Sequence, residues 1–208
     1  MSAKAGEAGL GGWSWRQLRC FTAPPPGLRL GCAVRHQGER LELRYRLEDP
    51  AGLVLLPPVS AAPQRRDGLW EHSCLECFLA RPGAAAPYIE LNASPSGDWA
   101  LYRFSGYRQG LTPVGGAEDL ELTIAPAGPG GVLELEVTLT QAALLAVDPV
   151  EAGREPSGTA AAGPTAAPLE LAITAVLELQ DGTLLYWALA HGGPEPDFHR
   201  RTDFLLRI

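Results

Sequence analysis

The chain has 208 residues, with 17 basic against 24 acidic side chains, a formal charge of -7 and a pI near 5.1. That acidic balance argues against a nucleic-acid or anionic-membrane surface. Hydrophobic residues at 46% and charged residues at 20% exclude a disordered chain, and 24 Gly with 19 Pro call for many turns and short strands.

The amino end, Met1 to Gly12, is small and polar, without an apolar run of signal-peptide length. No segment reaches the ~20 apolar residues that span a bilayer. A cytoplasmic location is therefore expected, where Cys20, Cys32, Cys74 and Cys77 would persist as thiols. Trp13 and Trp15 suit an edge strand or a lid. Alternating stretches then follow at Arg40–Leu47, Cys74–Leu79, Tyr88–Ala93, Trp99–Phe104, Leu120–Ile124 and Val132–Leu139. Thr140 is placed to cap a two-turn helix over Gln141–Ala146. From Val150 to Pro168 the chain is almost all Ala, Gly, Pro, Ser, Thr and acidic residues, which predicts a mobile surface insertion. Three further strands, Leu169–Leu179, Thr183–Ala190 and Phe204–Ile208, are too few to stand alone and must complete the earlier sheets. Turn signals at Pro95-Ser96-Gly97-Asp98 and Asp181-Gly182 mark hairpins. The expectation is one all-β domain over residues 1–208, an antiparallel β-sandwich of jelly-roll type with one short helix.

Alternation also sorts side chains by face. Leu75, Cys77 and Leu79 oppose Cys74, Glu76 and Phe78; Ile89, Leu91 and Ala93 oppose Tyr88, Glu90 and Asn92; Trp99, Leu101 and Arg103 oppose Ala100, Tyr102 and Phe104. If these strands are neighbours, Glu76, Glu90, Asn92 and Arg103 are expected on one surface beside Tyr88 and Trp99. An indole for an apolar ring face, with carboxylates, an amide and a guanidinium for hydroxyls, has the character of a sugar site. The alternative is an internal ion pair of Glu76 or Glu90 with Arg103 or Arg108, and a Trp99 that packs locally. Trp70, after the turn-like Arg65-Arg66-Asp67-Gly68, either stacks on a ligand or plugs the end of the sandwich. Trp187, between apolar neighbours, is read as core.

Cys74-Leu75-Glu76-Cys77 has C-x-x-C spacing, but residues three apart on a strand point to opposite faces, so no metal is expected there. Neither a Gly-x-Ser-x-Gly, a Walker loop nor a His-Glu-x-x-His motif occurs. Glu76 and Glu90 are the minimum equipment for glycosidic cleavage, yet binding modules use carboxylates too, so no catalytic residue is assigned.

The stretches Asp67–Phe78 and Tyr88–Arg108, with Tyr186–His191 and Pro196–His199 near the end, resemble a bacterial DOMON-like family related to the family 9 carbohydrate-binding modules. The similarity runs from about Trp70 to Ile208. It implies a ligand-binding β-sandwich that takes sugar in the carbohydrate modules and haem in other DOMON branches. The sole methionine is Met1, so a Met/His haem pair is not expected; His36, His72, His191 and His199 remain, with His72 or His199 as candidate axial ligands. The expected function is noncovalent binding of a saccharide or sugar nucleotide by Trp70, Glu76, Tyr88, Glu90, Asn92, Trp99 and Arg103. A haem or tetrapyrrole binder is the rival, and a scaffold module that docks a protein partner is a third possibility.

Overall fold

The computed structural model describes residues 13–128, 131–148 and 168–208. The insertion expected at Val150–Pro168 lies outside these residues, apart from Pro168. Strands β1 (Trp15–Gln17), β3 (Arg29–Gln37), β4 (Arg40–Glu48), β9 (Leu120–Gly128) and β10 (Val132–Leu139) form one sheet, in the order β1-β3-β4-β10-β9. The second sheet contains β2 (Arg19–Cys20), β5 (Cys74–Ala80), β6 (Tyr88–Ala93), β7 (Trp99–Phe104), β8 (Thr112–Pro113), β11 (Glu170–Glu178), β12 (Leu184–Ala188) and β13 (Leu206–Arg207). Its order is β2-β12-β11-β5-β6-β7-β8, with β13 beside the start of β11. All paired strands are antiparallel, so the fold is the expected sandwich, with one short helix, α1 (Gln141–Leu145). Only the buried Leu18 separates β1 from β2, so the chain steps there from the edge of one sheet to the edge of the other.

The inner faces meet in a core that includes Leu43, Leu75, Cys77, Leu91, Leu101, Leu135, Ile173 and Trp187. Tyr45 reaches across this core and its hydroxyl donates to the Glu76 carbonyl oxygen at 2.8 Å, tying the first sheet to the middle strand of the second. Tyr45→Phe is expected to lower stability by about 1 kcal/mol in urea denaturation, the usual cost of one buried neutral hydrogen bond.

The local signals act as the residue types dictate. Leu179 N–H donates to the Thr183 carbonyl around the Asp181-Gly182 turn, where Gly182 sits at φ 83°, in the left-handed region that glycine tolerates. Thr140 occupies the N-cap position of α1, but its hydroxyl bonds to Asp119 Oδ1 instead of capping the helix. β5 departs from its alternating pattern because all seven of its residues are buried. One face lies on the sandwich core. The other lies under the carboxyl-terminal segment, which folds back across the second sheet and forms a smaller apolar cluster of Phe78, Tyr88, Phe104 and Phe204, with Phe198 and Leu69 packed against it.

Candidate functional site

The outer face of the second sheet is set by register. Glu76 pairs with Asn92 and Thr174, Phe78 with Glu90 and Ala172, Glu90 with Tyr102, and Tyr88 with Phe104. Residues directly opposite share a face, so Glu76, Tyr88, Glu90 and Asn92 do gather on one surface. Trp99 and Arg103 do not. The register Asn92–Ala100 puts Ala100, Tyr102 and Phe104 outward and turns Trp99, Leu101 and Arg103 to the inner side. Trp99 is buried in the sandwich core, and Arg103 donates to the carbonyls of Ala146 and Asp148 beyond the end of α1. Their expected place beside Glu76 is thereby corrected.

Over this face lies a cavity of about 360 Å³. Glu76, Glu90, Phe78 and Val176 contribute to its floor, while Trp70, Arg108, Leu111, Tyr186, Phe198 and His199 contribute to its walls. Trp70 is held from the β7 side. The segment before it is sewn to β7, with Trp99 N–H donating to the Gln64 carbonyl and Arg66 N–H to that of Trp99. Asp67 then accepts the Tyr102 hydroxyl, and Trp70 follows in a 3-10 turn with its indole edge-on to Tyr102 at 5.8 Å. The indole remains 37% exposed, so it stands at the lip and does not plug the sandwich. Tyr186, on β12, and Phe198, 6.1 Å from it, approach from the other side.

The two carboxyl groups are the unusual feature. Glu76 is 2% exposed; Oε2 accepts the Thr174 hydroxyl at 3.2 Å, and Oε1 is buried without a hydrogen-bond partner. Glu90 Oε1 accepts from Asn92 Nδ2 at 2.9 Å, and Cys74 Sγ lies 3.5 Å from Asn92 Oδ1. No ion pair joins either carboxyl to Arg103 or Arg108 among the described residues; Arg108 instead pairs with Asp197 at 3.1 Å. Burial pushes Glu90 up to about 7, against the Asn92 hydrogen bond and the Arg108 charge, which hold it down. Glu76 is driven well above the carboxylate range, first by burial and then by repulsion from Glu90, with the Thr174 bond opposing.

His199 completes the polar wall. Its Nδ1 lies 2.9 Å from the Tyr88 hydroxyl, which also accepts from Arg108 N–H. With one lone pair so occupied, the hydroxyl proton is free for Nδ1, which leaves Nε2 protonated and facing Glu90 Oε2 at 3.9 Å. Burial and the Arg108 charge lower His199 to about 4, so it is neutral at physiological pH. His72, the other candidate haem ligand, is outside this pocket, exposed and 2.8 Å from Glu178. Cys74 faces outward and Cys77 inward, so the pair cannot grip one metal.

No protein-family model matches the sequence, nor does any curated protein. A solved structure from Bacteroides uniformis, of a protein to which carbohydrate binding has been ascribed, superposes with a TM-score of 0.61 at 14% identity. It covers 93% of this chain and 85% of that one. The chain is thus similar in fold to that protein. A family 9 carbohydrate-binding module from Caldicellulosiruptor kristjanssonii aligns more loosely. Its complex with cellotriose matches at 11% identity, over 90% of this chain and 79% of its own, with a TM-score of 0.46. Its complex with glucose matches at 10% identity, over 89% and 81%, with a TM-score of 0.44.

Several lining groups were not in the expected set. From the sequence Arg108 and His199 carry only an ion-pair and a haem-ligand reading, Phe78 and Phe104 only a place on a strand face, and Tyr186 and Phe198 only a place in the resembling stretches. Tyr186 carried a signal, since it alternates with the core residue Trp187 and so had to face outward.

Proposed function

We propose that the outer-face pocket binds a saccharide noncovalently, with the ring resting on Trp70 and its hydroxyls meeting Glu76, Glu90 and His199. The observation that carries this reading is the pairing of a half-exposed indole at the lip with a buried, unpartnered carboxyl oxygen at the floor. An indole face holds the C–H face of a sugar, and an orphaned acceptor is costly until a donor arrives. Carbohydrate binding ascribed to the Bacteroides protein of the same fold, and the resemblance to DOMON-like domains, agree with it. Tyr88 and Asn92 act one step back: Tyr88 orients His199, and Asn92 holds Glu90. Trp99 and Arg103 have no part in the contact.

Binding without turnover is the better fit. Hydrolysis needs two carboxyl groups that flank the scissile bond, whereas Glu76 and Glu90 rise from neighbouring strands on one floor. Isothermal calorimetry against mono- and disaccharides tests the reading. Trp70→Ala is expected to weaken the best ligand by about tenfold or more, the range of one lost aromatic contact with its buried area. Glu90→Gln should weaken it as well. Absence of heat with every sugar, or unchanged affinity in both variants, would overturn the assignment.

A further inference from the structure

We propose that the sugar recognised here carries a free ammonium group, as an amino sugar does, and presents it to Glu76 and Glu90. The inference rests on the saccharide reading above and narrows it to a ligand class. Charge on the pocket lining is its basis. Two carboxyl groups face the cavity, and the lining cations are few: Arg108 already has its charge met by Asp197, and His199 turns a neutral ring to Glu90. The floor therefore lacks a positive charge whenever both glutamates ionise. It also lacks a donor, since Glu76 Oε1 is buried without a partner.

An ammonium supplies both at once, with three N–H donors and one charge in a compact head. A sugar hydroxyl supplies one donor and no charge, so the floor would have to keep a proton to avoid two adjacent buried anions. Acetylation of the amine would remove the charge and two of the three donors and add bulk. The pocket should therefore rank free amine above neutral hydroxyl, and both above the acetylated form.

Calorimetry of the full chain with glucosamine and galactosamine, their N-acetyl forms, and glucose and galactose tests this at mildly acidic pH, where the amines are protonated. The expected result is a preference for an amino sugar over its neutral parent of about tenfold, the gain of a charge-assisted over a neutral hydrogen bond. Binding should also release protons, seen as an observed enthalpy that changes with the buffer's ionisation enthalpy. Glu76→Gln, which keeps shape and removes charge, should weaken the amino sugar more than its neutral parent and so erase the preference. Equal or tighter binding of the neutral parent overturns the ammonium assignment and leaves the saccharide reading standing. Failure of all six sugars to bind removes both.

Discussion

Glu90→Gln is expected to stabilise the unliganded protein by about 3 kcal/mol above neutral pH and to leave it unchanged near pH 4.5. Glu90 has its folded-state value raised from 4.5 to about 7, and about 1.4 kcal/mol accompanies each pH unit between the two. The sign follows from proton counting. Below the unfolded value both states hold the proton, so the carboxyl is neutral and costs nothing extra. As pH rises past it, the unfolded chain ionises and the folded one does not, so stability falls until the folded group also ionises near 7. Glu76, raised in the same direction, adds to the fall. The two share one site and titrate as a pair, so the measured curve reports both.

His199 works the other way in an overlapping window. Its folded value is lowered from 6.5 to about 4, so its contribution is full above 6.5 and is lost as pH falls towards 4. Between these limits, folding moves a proton from the histidine to the glutamate, and the two slopes offset each other. The remaining charges near the pair, Arg108 and Asp197, are matched to one another, and Tyr88, Tyr102 and Cys74 stay protonated with raised values through this range. The wild type should thus show a shallow profile up to about pH 6.5 and a steeper loss beyond it, whereas His199→Asn should decline from about pH 4.5 onward. Urea denaturation across pH settles the matter: parallel curves for wild type, Glu90→Gln and His199→Asn would mean that the fold shifts neither Glu90 nor His199.

The faces of individual strands were legible from the chain, but their phase relative to one another was not. CLECFL and YIELNA each show which residues travel together, and both place Glu76 and Glu90 opposite the apolar side. For WALYRF the two sides are less distinct, since Tyr102 and Phe104 rival Trp99 and Leu101 in hydrophobicity. The connection from Ser94 to Asp98 decides the matter by aligning Ala93 with Trp99. Leu101 was the available clue, because it belongs with Leu91 and Ile89 in the core. Strand β3 gives no period-two signal, because Gly31, Cys32, Ala33 and Val34 do not alternate; their places come from pairing with β4 on one side and β1 on the other. The cavity itself could not be read from any local pattern. It exists because Phe198, His199 and Phe204 return to lie over strands formed more than a hundred residues earlier.

That return makes Phe204→Ala the most damaging single change expected at the pocket. Phe204 is buried against Phe78 at 5.9 Å and Tyr88 at 6.2 Å, with the Arg201 guanidinium 4.3 Å from its ring centre. Loss of a ring this enclosed costs about 3–5 kcal/mol. The cost should not be spread evenly, because the strap's other ties are mostly hydrogen bonds and ion pairs, among them His199 to Tyr88 and Asp197 to Arg108 and Tyr107. Arg201 donates to the Ala84 and Arg81 carbonyls and pairs with Glu170, which also holds Arg207 on β13. Those anchors are polar and partly exposed, and such contacts contribute little alone. With the phenyl ring gone, residues 196–204 should open from the sheet before the sandwich unfolds. Hydrogen exchange should then show early loss of protection at Phe204 and Leu205, whose N–H groups bond within this segment, while the inner strands keep theirs. Sugar affinity should fall together with the strap, since Phe198 and His199 leave the wall with it. Arg201→Lys, which retains the charge but not the forked geometry, should weaken binding less than Phe204→Ala. The reverse ranking would place the anchor in the ion pairs and not in the aromatic cluster.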